Sequence, residues 1–490
     1  MLSESLSGLK TLSIGWYFGR FDRLNREADG FDSVPTTFST WMQKVCSMRP
    51  RAVLLAVLLL VSSVAGAASL PGLAASPPDS DSVSSTLDVA QNRTLTNVLT
   101  LTQSSVERTN FTQPGPNASA ALSVRDTRLS RQLNAERTET KLAAFDSAAE
   151  KQAYVRRALT EVEIRTSELR QEEREAFRRH STGELSSTEL VIQLARIDTA
   201  AEQLSQNASR LGRAAERIEG FSVQTRVDAV KLNLRTLQGP VRDHAADVVR
   251  GTDAPSRIYA STTADGVVLT TIAQDTYVRE VYDGSRRIAS SDSQITREDI
   301  EPLMRQSYPG LMKRGDLQAR SARESDIWVT EIPYRRGNLT ALVDKDSPGR
   351  VFKEEQHLRL NRTPPTQQLN SSRVGLQLSV YPSYPGGPML VTVENARTGD
   401  PVRADVSLIT PPQSNTEPVQ VGTTNSSGAL WVVSPRENFT VQAIKVGTQS
   451  VVDMRVDPVE PRQVGVENNS TGDDSESVST SLAAPPARDR

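Results

Sequence analysis

The chain has one cysteine in 490 residues, Cys46, and three histidines, His180, His244 and His357. Cys46 lies upstream of an apolar run at 52–64. A chain cut after that run has no thiol, so no disulfide staples its domains and each must hold by core packing. A thiol nucleophile and a cysteine-ligated metal are excluded with it. The histidines fall in different predicted units, and none stands in H-E-x-x-H or another close ligand spacing. His180, at a helix break, and His357, at a strand end, are expected at the surface. No G-x-S-x-G elbow, Walker loop or helix-opening G-x-G-x-x-G occurs. With no nucleophile, base and orienting partner to name together, the expectation is a non-catalytic protein without cofactor or metal. Aromatic residues make up only 5% and apolar residues 37%. That is too little for one dense core, so part of the chain should be long helix, linker or tail. The net charge of −2 gives no field to draw nucleic acid or acidic lipid. Lysine occurs 9 times and arginine 48 times, a bias that alone marks no binding site.

What is present begins with an export signal. Ala52 to Val64 read AVLLAVLLLVSSV, behind Arg49 and Arg51 and ahead of Ala65-Gly66-Ala67. This is the charged, apolar and small-residue order of a secretory signal. Met48 stands just before it, which makes 1–47 a non-native extension, 48–67 the signal and Met48 the start. An uncleaved anchor is the alternative. Extension through Leu70 and Leu73 gives about 23 mostly apolar residues, enough to span with strain.

Of 17 asparagines, eleven stand in N-x-[ST]. With Ser and Thr at about a fifth of the chain, chance predicts about three. Ten are expected to carry sugar: Asn92, Asn110, Asn117, Asn338, Asn361, Asn370, Asn425, Asn438, Asn468 and Asn469. Asn207 is set apart, because it falls inside a helical repeat near a packed seam.

Residues 68–121 are rich in Ser, Thr, Pro and Asn and read as a flexible linker. From 122 to 250 the composition turns to Ala, Leu, Glu, Arg and Gln. Val155, Leu159, Val162, Thr166, Leu169 and Ala176 keep steps near three and four. Leu190, Ile197, Leu204, Leu211 and Ile218 repeat every seventh residue, with Leu194, Ala201, Ala208 and Ala215 four positions on. Gly183 breaks the two runs, and Ser186 to Glu189 fits a capping box. The expectation is an antiparallel helical hairpin with a third helix at about 222–237, ending before Gly239-Pro240. Its stripe serves as bundle core, or else as a homo-oligomer seam of coiled-coil type. Over 252–362 the period shifts toward two, with a helix from Thr296 to about Met312, so a small α+β domain is expected. Over 373–457 alternation is clean and argues for an Ig-like β-sandwich anchored by Trp431. Residues 458–490 read as a disordered tail. The fold class is thus multidomain α+β.

Asp344-Lys345-Asp346-Ser347-Pro348-Gly349, with Glu355, has oxygen ligands at three positions of an EF-hand loop. Pro348 takes the place of a ligand and the flanks read as strands, so a hairpin turn is expected and no metal.

Ile295 to Ile300, then Ser307-Tyr308-Pro309-Gly310, then Leu342-Val343-Asp344 and Pro348-Gly349-Arg350-Val351, resemble a PepSY domain. The resemblance implies a small extracytoplasmic module, often linked to peptidase control, and brings no catalytic residue. Thr398 to Val402, Gly422 to Gly428 and Asn438 to Val441 resemble the carboxypeptidase regulatory-like or transthyretin-like sandwich of surface proteins. The ensemble resembles uncharacterised secreted proteins of halophilic archaea. The expected function is that of an exported, N-glycosylated cell-surface structural or interaction protein. Its partner is another surface or envelope protein, with membrane contact only through an uncleaved anchor. Regulation of an extracytoplasmic peptidase is the alternative. Intact mass spectrometry of the exported chain should show a start after Ala67 and whole-glycan increments. An unprocessed, sugar-free mass would overturn the expectation.

Overall fold

The computed structural model describes residues 97–119, 121–122, 136–287, 293–363, 367–410, 418–459, 461 and 463–464. The export segment, Asn92, Asn468, Asn469 and most of the expected linker and tail lie outside them.

Four helices form one layer: α1 (Ala148–Ser181), α2 (Ser187–Glu216), α3 (Gln224–Arg235) and α4 (Pro240–Arg250). Serine caps open the two long ones. The Glu150 N–H donates to Ser147 Oγ at 3.2 Å, and the Glu189 N–H donates to Ser186 Oγ at 3.2 Å, each glutamate reaching back to its cap N–H. Both stripes go inward. Val155, Leu159 and Leu169 of α1 and Leu190, Leu194, Ile197, Ala201, Ala208 and Leu211 of α2 are buried in a common cluster. Leu204 is only partly buried. α4 is a helix the sequence reading missed. Pro240, read as a stop, is its first residue, where a proline forfeits only an N–H that has no helical partner anyway.

The helices lie on an eight-stranded antiparallel sheet of order β1-β2-β3-β4-β8-β7-β6-β5. Its strands are β1 (Arg108–Thr112), β2 (Ile258–Thr262), β3 (Gly266–Ala273), β4 (Thr276–Asp283), β5 (Gln318–Ser321), β6 (Ile327–Tyr334), β7 (Gly337–Asp344) and β8 (Val351–Arg359). Ile258, Ala260, Val267, Leu269 and Val278 enter the helical core. Between β4 and β5 come α5 (Arg297–Ser307) and α6 (Pro309–Met312). Their Ile300, Met304 and Leu311 share a second cluster with Val281, Ile332, Leu339 and Ala341. Period-two alternation thus feeds two cores, one from each face. The helix expected to reach Met312 breaks at Tyr308 (φ −132°, ψ 57°), because a residue before proline is pushed out of the α region.

The C-terminal domain is a β-sandwich of two four-stranded antiparallel sheets, β14-β11-β10-β9 and β13-β12-β15-β16. They comprise β9 (Leu369–Arg373), β10 (Leu376–Tyr381), β11 (Pro388–Asn395), β12 (Ala404–Ile409), β13 (Val419–Thr423), β14 (Ala429–Val433), β15 (Phe439–Lys445) and β16 (Val451–Val456). Val402, Ala404, Val406 and Leu408 face inward, with Phe439, Val441 and Ala443. The sandwich starts earlier than 373: β9, reading LNSSR, is a polar edge strand that looks like a loop in sequence. Trp431 is not the anchor. It is half-buried on the face opposite Val432, and the core is filled by aliphatic residues and Phe439.

Two further expectations need correction. The linker assigned to 68–121 gives way at residue 98: Val98, Leu99 and Leu101 are buried, and Arg108–Thr112 pairs with β2 as the outermost strand. The tail assigned to 458–490 is likewise ordered at Gln463 and Val464. Gln463 bridges Val98, and the Val464 N–H donates to the Val98 carbonyl at 3.3 Å. In both segments short apolar groups find a ready surface on the second core, which composition averaged over fifty residues conceals.

Leu99 is held by its backbone. Its N–H donates to Glu354 Oε2 at 2.7 Å and its carbonyl accepts from Arg279 Nη2 at 2.6 Å. Arg279 Nη1 donates to Glu354 Oε1 at 2.7 Å, and Tyr308 Oη donates to Glu354 Oε2 at 2.6 Å. Replacing Glu354 by Ala strands a buried guanidinium, a phenol and an N–H. The expected loss is about 3–5 kcal/mol of unfolding free energy by urea titration, and the double variant Arg279→Met/Glu354→Leu should recover only the guanidinium's share, since the Leu99 amide and the Tyr308 hydroxyl stay without their acceptor.

Candidate functional site

His180 is fully buried, not at the surface. Its Nδ1 lies 2.7 Å from Thr262 Oγ1 of β2 and its Nε2 lies 2.9 Å from Ser187 Oγ of α2, so the ring joins α1, α2 and the sheet. Burial, with a smaller push from Arg108, pulls its pKa down to about 4, and the imidazole is neutral at pH 7. The sequence carried a signal for this. Steps of four and three from Val155 through Leu169 continue to Glu173, Ala176 and His180, all buried. His244 lies 2.9 Å from Asp253 and 2.6 Å from Ser256, while His357 is exposed at the end of β8. The three rings are therefore in three places.

The loop at 344–349 does not gather its carboxylates. Asp344 is buried with Arg287 Nε at 3.2 Å and accepts the Asp346 N–H at 3.0 Å. Glu355 lies on β8, where it accepts from Arg235 Nη1 at 2.8 Å. Among the described residues no group of three His, Cys, Asp or Glu side chains could hold a metal ion.

The densest set of buried titratable groups lies on β4 and β8, where Glu280 opposes Glu355 across the strands. On the helix face Glu280 accepts from Arg242 Nε at 2.7 Å and from the Val241 N–H at 3.1 Å. Arg242 donates in turn to Glu173 at 2.5 Å and to the Leu237 carbonyl at 2.9 Å. Lys353 Nζ donates to the Thr236 carbonyl at 2.8 Å and to that of Gln238, capping the end of α3 from the sheet. Asp198 of α2 accepts the Gly239 N–H at 2.8 Å, and burial pushes its pKa up to about 7. Burial raises the Glu354 carboxyl in spite of Arg279; at Glu355 burial is again the largest influence, but the charges and hydrogen bonds of Arg235 and Lys353 together overcome it and lower the carboxyl. Every one of these groups has its partner inside the protein, which suits a structural network and leaves no free acid or base for catalysis there.

Two kinds of surface remain. A groove of about 750 Å³ runs along α1 and α2, floored by Leu169, Ile197 and Leu204 and edged by Arg165, Arg196 and Arg210. Asn117 and Asn207 line it, and Asn207 is half-buried. The other sequons are spread outside. Asn110, on β1, and Asn370, on β9, sit on edge strands. Asn361 lies in a single-turn 3-10 helix after β8, Asn425 lies at a turn, Asn438 lies just ahead of β15, and all five are exposed. Asn338, on β7, is half-buried.

Three family models match the chain. Residues 48–254 are similar to a domain of unknown function, DUF7096, and residues 258–364 to a family of unknown function, DUF7094. Residues 368–453 are similar to an archaeal fibronectin-III type-like domain, which agrees with the sandwich. The middle region is thus similar to DUF7094. No curated protein and no solved structure matches the chain. No helix among the described residues is long and apolar enough to cross a membrane.

His180 sets a pH dependence. Its folded pKa of about 4 lies below the unfolded value of 6.5, so the stability held by the neutral ring is complete above 6.5 and drains as pH falls toward 4. With allowance for solvent screening, wild type should lose about 2 kcal/mol more than His180→Gln between neutral pH and pH 4, by urea titration at each pH.

Proposed function

We propose that this is an exported, N-glycosylated, non-catalytic surface protein, in which a rigid helix-and-sheet body carries a fibronectin-type sandwich. The observation that carries the proposal is where the sequons fall. Of the eight described, none is buried, and six (Asn110, Asn117, Asn361, Asn370, Asn425 and Asn438) are exposed. Two of them stand on outer strands, β1 of the large sheet and β9 of the sandwich. An outer strand offers unpaired backbone groups to any passing strand, and a sugar there blocks that pairing while staying in water. Drift in loops gives no reason for a sequon on an edge strand.

Other features support the same function. The apolar run at 52–64 behind two arginines lies within the stretch similar to DUF7096. No cysteine follows it. The buried acids and bases of the sheet are all engaged with each other. Partners are expected among surface or envelope proteins, with the helical groove and the sandwich as the faces on offer. An uncleaved signal would instead leave the chain anchored.

A second function, control of an extracytoplasmic peptidase, draws on the order of elements at 297–351. A helix, the Tyr308-Pro309 break, then strands and the Asp344–Gly349 turn follow the sequence pattern of the PepSY family. Co-purification of one protease, with its activity altered by the protein, would favour it.

Protease shaving of intact cells, followed by glycopeptide mapping, tests the main proposal. Peptides bearing sugar at Asn110 and Asn370 should be released from the outside. Recovery of the chain only from the cytoplasm, unprocessed and bare, sinks it.

A further inference from the structure

We infer that the end of the large sheet around the β6–β7 turn binds an anionic saccharide through a strip of five arginines. Two concavities adjoin there, of about 610 and about 440 Å³, and Tyr334, Arg335 and Arg362 line both. Arg314 and Arg336 extend the strip on one side and Arg359 on the other. Together they make a continuous trough of the size that holds a small oligomeric ligand.

Five guanidinium groups gather here with no carboxylate in the lining. Elsewhere Arg226, Arg235, Arg242, Arg279 and Arg287 each hold a carboxylate. Neither concavity is lined by an acidic residue, and none of the five strip arginines forms an ion pair among the described residues. Asp275, whose carbonyl accepts the Leu360 N–H at 2.9 Å, lines neither. Four of the five are exposed and Arg336 is half-buried.

The backbone beneath is fixed. A Cβ on Gly337 would meet the His357 carbonyl at 1.8 Å, and one on Gly315 would meet the Pro333 carbonyl at 2.5 Å. Only glycine lets the Arg335-Arg336 turn and the Arg314 loop close in. The Arg359 N–H donates to the Arg336 carbonyl at 2.8 Å, and Arg362 Nη1 donates to the Arg335 carbonyl at 3.4 Å. Guanidinium groups set on a rigid frame recognise carboxylate or sulfate oxygens with two parallel hydrogen bonds.

The neutral lining selects a sugar chain over other oxyanions. Thr276 and Thr363 offer hydroxyl groups of the kind that hold sugar hydroxyls, and Tyr334 gives an apolar ring face. Asn338 and Asn361, in the same lining, are sequons, and a glycan on either would compete for the trough, so the binding is a property of the bare chain. The binding does not depend on export, so a protein kept in the cytoplasm would still show it.

The test uses the full chain made in a host that attaches no N-glycan. By titration calorimetry an oligogalacturonate of about six units should bind, more weakly as salt rises, and a neutral glucan of equal length should not. Arg335→Gln/Arg362→Gln should lower the affinity by at least roughly tenfold, while Arg178→Gln, on the helical layer, leaves it unchanged. Equal binding of the neutral glucan, or no effect of the double variant, overturns the inference. So does inorganic phosphate or sulfate matching the oligomer, or binding only to vesicles of anionic lipid, since the trough would then read a lone oxyanion or a headgroup.

Discussion

Three buried glutamates on two neighbouring strands hold the body together. Glu280 and Glu355 face the helices, Glu354 faces away, and each takes a guanidinium from a different element. A carboxylate in a sheet core is costly to desolvate, and it persists because its oxygens are filled by several donors. Through Arg242, Glu280 draws in α4 and Glu173 of α1. Through Arg235, Glu355 fixes the end of α3, beside the lysine that caps it. Apolar contacts alone would let these helices slide on the sheet. The charge pairs set one register for the layers, since any shift leaves an ion without its counterion.

The same economy explains why so few reactive groups are spare. His180 bonds two hydroxyls, and Asp198 caps a turn. In a chain whose only thiol lies in the first fifty residues, such polar pins give the cross-linking that disulfides give elsewhere. They are also sensitive in opposite senses to pH, His180 losing its hold on acidification and Asp198 being charged only at some cost near neutrality.

Much of the architecture was legible in the residues. The sevenfold stripe of α2, the serine caps, the strands after residue 257 and the inward row Val402 to Leu408 all lie where periodicity placed them. Periodicity failed where the decisive contact is distant. Pro240 reads as a stop until its place at the head of a helix is known. The run at 97–112 reads as linker because its partners, Glu354 and β2, lie about 150 to 250 residues on. Glu173 and His180 look like surface residues by type, although their position on the α1 stripe marked them as buried. Trp431 is the converse case: its residue type points inward, whereas the facing of β14 turns it away from the sandwich core. The arginine strip was invisible to composition, because it is assembled from the β6–β7 turn, the end of β8 and the loop after α6.

The grip on Leu99 has a mechanical side. Its amide and carbonyl are pinned to Glu354 and Arg279 in the middle of the large sheet, and Val98 touches Gln463 from the far end of the chain. A pull on the polypeptide ahead of residue 97 therefore loads the central strand pair directly. Force must break two charge-assisted hydrogen bonds before it can peel β1 away, so the clasp at residue 99 acts as a strain relief for everything that follows.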